Sequence, residues 1–136
     1  MQAVLDSWAV LAYLQDEPAA DRVARYLEQG ECVLNVVNCT EVLYQLMRRR
    51  GHAAAGRFLH DVADPRSPVR LMVAGPRLAN RAAEVKAGGG MSLAGAYAAA
   101  TTLLLPEGIL LTGDPELLLG SSRWGYQVEW LGAGEG

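Results

Sequence analysis

Three carboxylates stand where an α/β chain would do chemistry. Asp6 follows the apolar run Val4 and Leu5, and Asp114 follows Leu110, Leu111, Thr112 and Gly113. Glu41 opens a helix that leaves the end of another apolar run, Cys32 to Leu34. Ligands of open α/β sheets sit outside the carboxyl ends of the strands, so all three acids point to one edge. Each has a structural explanation by itself. Asp6 or Ser7 can cap a first helix, Asp114 can cap a helix that starts at Pro115, and Asn38 to Glu41 has capping-box spacing. Capping does not explain why three acids converge without a matching set of lysines. Like charges held close raise one another's pKa unless a cation enters. Mg²⁺ or Mn²⁺, hard ions that take oxygen ligands, would resolve that conflict, and such a centre suits phosphodiester hydrolysis.

The other chemical candidates are weaker. His52 and His60 have no partner at a recognised metal spacing and read as surface residues. Cys39 near a helix start could be an activated thiol, but no histidine is placed as its base, which favours a small core residue. The run Gly88, Gly89, Gly90 lacks the Gly-Lys-Ser/Thr ending of a phosphate loop. Asp6 followed by Trp8 lacks the Asp-x-Asp pair of aspartyl-phosphate phosphatases, which sets that class aside.

The elements that must hold the acids alternate between short apolar runs and helical periods. Ala3 to Leu5 reads as a strand and Ser7 to Leu14 as a helix with Trp8, Leu11 and Leu14 on one face. A helix after Pro18 carries Val23 and Leu27 and stops near Gly30, and a strand follows from Cys32 to Leu34. Asn38 is the expected N-cap of a helix that closes on Arg48, Arg49, Arg50 and Gly51. A helix over Ala53 to Val62, a strand over Val69 to Val73 and a helix from Pro76 come next. Ser92 caps an Ala-rich helix that is apolar on several faces, so it must be covered by more than a sheet. Gly108 to Thr112 and Gln127 to Leu131 supply the last strands, and Gly132 to Gly136 form a soft end. The pattern predicts a parallel sheet covered on both faces, with residues 1–136 as one domain.

Composition narrows the function classes. A chain of 136 residues with 51% hydrophobic and 20% charged residues can bury a core, which excludes a disordered segment. Its 12 basic and 15 acidic side chains give a net charge of -3, which excludes a dominant basic surface of the repressor kind. Two cysteines are too few for a secreted disulfide scaffold, and residues 1–6 have no basic segment before an apolar stretch, so a cytoplasmic protein is expected. The uncharged run between Lys86 and Glu107 is no membrane span. Its helical part, Leu93 to Leu105, would reach roughly 20 Å against ~30 Å of bilayer hydrocarbon.

The stretches VLDSWAVLAYLQDEP, NVVNCTEVLYQLMRRRG and GMSLAGAYAAATTLLLPEGILLTGDPELL resemble the three signature regions of the PIN-domain family, in particular its VapC-like toxins. They spread over nearly the whole chain. The resemblance implies a three-layer α/β/α sandwich with a central, mainly parallel sheet and a Mg²⁺- or Mn²⁺-dependent endoribonuclease acting on RNA. It also implies a homodimer and inhibition by a cognate antitoxin. Residue by residue, Asp6, Glu41 and Asp114 match the family's acids, as catalytic residues and metal ligands, and Thr112 matches its hydroxyl residue. One acid is missing: after Ser92, Leu93 and Ala94 the family pattern has aspartate, and this chain has Gly95.

That glycine is locally odd, because an acid in the first turn of a helix helps the macrodipole and glycine costs a helix ~1 kcal/mol relative to alanine. Two explanations compete, a naturally weakened enzyme or a variant inactivated for production. The rival functional class is a PIN scaffold that binds RNA or a partner without turnover. Arg48, Arg49, Arg50 and Arg57 are candidate phosphate contacts, with a solvated helix cap as the alternative for the first three. The apolar helix from Leu93 to Leu105, with Trp8 and Tyr13, suggests surface left over for dimerisation.

Overall fold

In the computed structural model the described residues are 1–133, so the soft end expected at the C-terminus lies outside them from residue 134 onward. The first strand, β1 (Gln2–Leu5), ends at Asp6, whose carboxylate caps α1 (Ser7–Leu14) by accepting from the Ala9 backbone N–H. Helix α2 (Ala20–Gln29) stops at Gly30, which takes the left-handed φ of 75° that ends a helix well. After β2 (Cys32–Asn35) come α3 (Val36–Arg50), α4 (His52–Ala63) and β3 (Val69–Met72). Helix α5 (Pro76–Ala87) begins on proline, and α6 (Leu93–Leu104) is capped by Ser92 as its sequence predicts. Strand β4 (Gly108–Thr112), α7 (Pro115–Trp124) and β5 (Gln127–Trp130) complete the order.

The five strands form one sheet in the order β3-β2-β1-β4-β5, and every pairing is parallel. Parallel strands buried on both faces need side chains for two cores, and the short apolar runs supply them alternately. Ala3, Leu5 and Leu111 join Val10, Val23, Val42 and Leu46 on the side of α1 to α4. Val4 and Leu110 join Val85, Ala96, Ala99 and Leu117 on the side of α5 to α7. The result is the three-layer α/β/α sandwich. The chain winds from β1 towards β2 and β3, then crosses to β4 and β5, so the direction of winding reverses between β1 and β4. A crevice opens at the carboxyl ends of two strands related in this way.

Two expectations are corrected. Asn38 does not cap α3: β2 runs on through Asn35, which pairs with Met72, and the Asn35 side chain caps the helix by accepting from Asn38 N at 2.8 Å. Glu41 therefore lies in the second turn and is no capping-box partner. The Ala-rich helix also leaves less apolar surface for a dimer than expected, Leu93 at its start being exposed together with Tyr13 of α1. Ala96, Ala98, Ala99 and Ala100 are fully buried within one chain, where α6 packs on α5, α3, α7 and the sheet. Small side chains let that helix be covered on several sides at once. Among the described residues, no helix is long and apolar enough to cross a membrane.

Candidate active site

The register of β1 against β4 builds the deepest part of the site. Leu5 lies opposite Leu111, so the next residues, Asp6 and Thr112, emerge side by side from the sheet. The Thr112 hydroxyl donates to Asp6 Oδ2 and accepts from Asp114 N at 3.0 Å, while Asp6 Oδ1 accepts from Ala9 N at 2.8 Å. Asp114 caps α7, its Oδ1 accepting from Glu116 N at 2.9 Å. Both sequence explanations of these acids thus hold together: each caps a helix, and each faces the crevice.

Glu41 arrives from α3. Its carboxylate accepts a hydrogen bond from the Ser7 hydroxyl, which ties the second turn of α3 to the start of α1. Asn38, one turn earlier, is buried and donates to Ala94 O at 3.0 Å. Asn35 Nδ2 donates both to Asn38 Oδ1 at 2.8 Å and to Thr101 Oγ1 at 3.1 Å. This amide network locks the start of α3 against α6, and it brings Gly95 into the same cleft.

That cleft has a volume of about 230 Å³. It is lined by Asp6, Glu41, Asp114 and Gly95, with Ser7, Trp8, Asn38 and Arg49 around them. Asp6 is 4% exposed. Burial pushes its carboxyl up to about 7; the Thr112 and Ala9 hydrogen bonds pull down, and the charges of Asp114 and Glu41 push up. The oxygen donors that line the cleft, with no histidine or cysteine among the described residues there, suit a hard divalent cation. The fit is to a hydrated ion. Among the described residues no three acid, histidine or cysteine side chains make a ready metal cage, so the three acids share a cleft without closing around one point.

Position 95 sharpens that observation. Gly95 is buried in the first turn of α6, donates its N–H to Ser92 Oγ at 3.0 Å, and is not among the glycines with positive φ. A Cβ there would meet Ser92 Oγ at 3.1 Å and otherwise only ordinary contacts. Neither backbone conformation nor lack of space requires glycine.

The family model of the PIN domain matches residues 3–118. The chain belongs to the PIN-domain family. Solved structures agree on the PIN fold. VapBC-1 from nontypeable Haemophilus influenzae superposes with a TM-score of 0.69 at 14% identity, over 96% of this chain and 98% of that one. FitAcB from Neisseria gonorrhoeae gives 0.65 at 16% identity, over 93% and 96%. DNA-bound VapBC from Salmonella typhimurium gives 0.63 at 10% identity, over 96% and 98%. No curated protein matches the sequence.

The remaining candidates separate in the PIN fold. Of the arginine run only Arg49 lines the acidic cleft; Arg48 stacks on the Tyr44 ring, 5.5 Å from its centroid, and Arg50 and Arg57 border a different groove. Cys39 is a buried core residue whose thiol burial pushes up, the opposite of activation. His52 and His60 are exposed. Sequence reasoning offered Ser7 only as a helix cap and missed its bond to Glu41, and it missed Asn35, whose bond to Thr101 spans 66 residues. It also gave Asp114 a helix start without extending that helix to Trp124.

Proposed function

We propose that this chain is a single-domain, metal-dependent endoribonuclease of the VapC kind, working in the cytoplasm as the toxin of a toxin-antitoxin pair. The observation that carries the reading is the buried Asp6 carboxylate at the β1/β4 crevice, with Glu41 and Asp114 lining the same cleft. Asp6, Glu41 and Asp114 would hold Mg²⁺ or Mn²⁺, directly or through its waters. Such an ion supplies a nucleophilic water and neutralises charge that builds on the phosphoryl oxygens. The chain's own residues do the rest. Thr112 fixes the rotamer of Asp6 and Ser7 that of Glu41, and Arg49 offers a phosphate contact at the rim. Water is the nucleophile and no covalent intermediate forms.

The test is cleavage of single-stranded RNA with Mn²⁺ and with chelator, set beside Asp6→Asn. Weak cleavage that both chelator and Asp6→Asn remove supports the proposal; cleavage that survives either would sink it. The second reading, a PIN scaffold that binds without turnover, is favoured by Gly95 alone, since a glycine contributes no ligand. It predicts RNA binding with no metal-dependent cleavage.

Two partners belong to the proposal. An antitoxin would place an arginine or lysine among the unpaired carboxylates, and binding that ignores Asp6→Asn and Asp114→Asn would move its seat elsewhere. The larger groove, about 420 Å³ and bordered by Tyr13, Leu27, Phe58, Arg50 and Arg57, is then the alternative seat. A symmetric homodimer has as candidate surface the exposed apolar residues Val36, Tyr44 and Met47 of α3, with Tyr13 of α1 and Leu93 of α6. Sedimentation as a monomer at micromolar concentration would count against it.

A further inference from the structure

Trp8 has an unusual place. It is half-buried on the first turn of α1, two residues after Asp6, and among the described residues it is the one aromatic side chain lining the acidic cleft. Its indole lies against the backbone between Thr112 and Asp114. A Cβ at Gly113 would overlap the ring atoms Cε2, Cζ2 and Cδ2, so glycine is required there to let the ring approach. The ring is thus fixed beside two of the three acids. One side of the indole lies on Gly113 and part of it packs on the hydrophobic core of α1 to α4, and the rest of the half-buried side chain borders the acidic cleft that has Arg49 on its rim.

An unpaired base has a π-face that stacks on an aromatic side chain whatever its sequence, and single-stranded RNA is held by such platforms together with cations along its backbone. We propose that Trp8 is the base-stacking platform of this cleft: one unstacked base of a single-stranded RNA lies on its indole and sets the neighbouring phosphodiester beside Asp6 and Asp114. In the proposed function Asp6 and Asp114 are taken up by the cation, and Arg49 offers a phosphate contact. The platform therefore fixes which linkage of the strand is presented. This inference rests on the reading of the cleft as an RNA site and deepens it.

The test is a titration of a labelled single-stranded oligoribonucleotide, with chelator present to stop cleavage, followed both by anisotropy and by tryptophan emission. The side-chain N–H groups of the other two tryptophans, Trp124 and Trp130, are buried. RNA should quench emission of the chain as given and leave that of Trp8→Phe unchanged. Trp8→Ala should weaken binding about tenfold, and Trp8→Phe should recover most of the loss. An abasic residue in the bound strand should weaken binding to the chain as given but not to Trp8→Ala. If Trp8→Ala does not fold, the quenching and abasic comparisons with Trp8→Phe still decide. RNA binding with undiminished affinity for Trp8→Ala, or quenching that persists in Trp8→Phe, overturns the platform and leaves the RNA site standing. No salt-sensitive RNA binding at all overturns both.

Discussion

The two walls of the acidic cleft are held by different physics. The β1/β4 wall carries Asp6, Thr112 and Asp114; strand register sets Asp6 beside Thr112, and the Thr112 hydroxyl links Asp6 to Asp114 N. The α3/α6 wall carries Glu41 and Gly95, and its placement depends on side chains: Ser7 on Glu41, and the Asn35, Asn38 and Thr101 amides and hydroxyl between the helices. The first wall keeps every polar group the fold offers it. The second has Gly95 where the family resemblance expects a carboxylate.

Supplying that ligand is the largest effect expected. Gly95→Asp should raise metal-dependent RNA cleavage by roughly a hundredfold, through better positioning and charge stabilisation. Ser92 Oγ has to give way by a few tenths of an ångström, which partly offsets the gain in helix propensity. Cleavage equal to that of the chain as given would mean that position 95 is no ligand and that the weak wall is complete already.

The amide network is the next test. Asn35→Ala removes the α3 cap and leaves the buried Asn38 Oδ1 without its donor, while Thr101 keeps its bond to Tyr97 O, which should cost about 2 to 3 kcal/mol in denaturant unfolding. A loss below about 0.5 kcal/mol would show that α3 is held against α6 by apolar packing alone.

A pH dependence separates the walls further. The folded value of the Asp6 carboxyl, about 7, lies above its ordinary 3.8, so the native state binds that proton more tightly than the unfolded chain does. The charged carboxylate therefore costs stability, fully above pH 7 and not at all below about pH 4. Stability should fall as pH rises through this window, and Asp6→Asn should flatten the slope. The check is urea unfolding at half-unit pH steps, and an equal slope in both proteins would contradict the burial of a charged Asp6. The smallest effect concerns the rim. Arg49→Ala should reduce the salt slope of RNA affinity by about one ion, and Arg48→Ala should not.

Much of this was legible in the sequence. Strand ends, Ser92 as a cap and the acids at Asp6 and Asp114 follow from local pattern, because a capping residue and a strand terminus are signals within a few residues. Asn35 and Asn38 were not separable in that way. Both are good caps, and what decides is the pairing of β2 with β3, which carries Asn35 as its last strand residue and frees Asn38 to reach Ala94. The burial of α6 was half legible: its several apolar faces required cover, but only the packing of α5, α3 and α7 showed that one chain provides it. The Trp8 and Gly113 contact joins residues 105 positions apart, and no local signal announces it.

The account stands most directly on whether the cleft binds a divalent cation through these acids. Calorimetric titration of Mn²⁺ into the chain as given, Gly95→Asp and Asp6→Asn measures it without any substrate. Affinity should be highest for Gly95→Asp, weaker for the chain as given, and lost in Asp6→Asn. The same affinity in all three would place any bound ion outside the cleft and contradict the assignment of Asp6, Glu41 and Asp114.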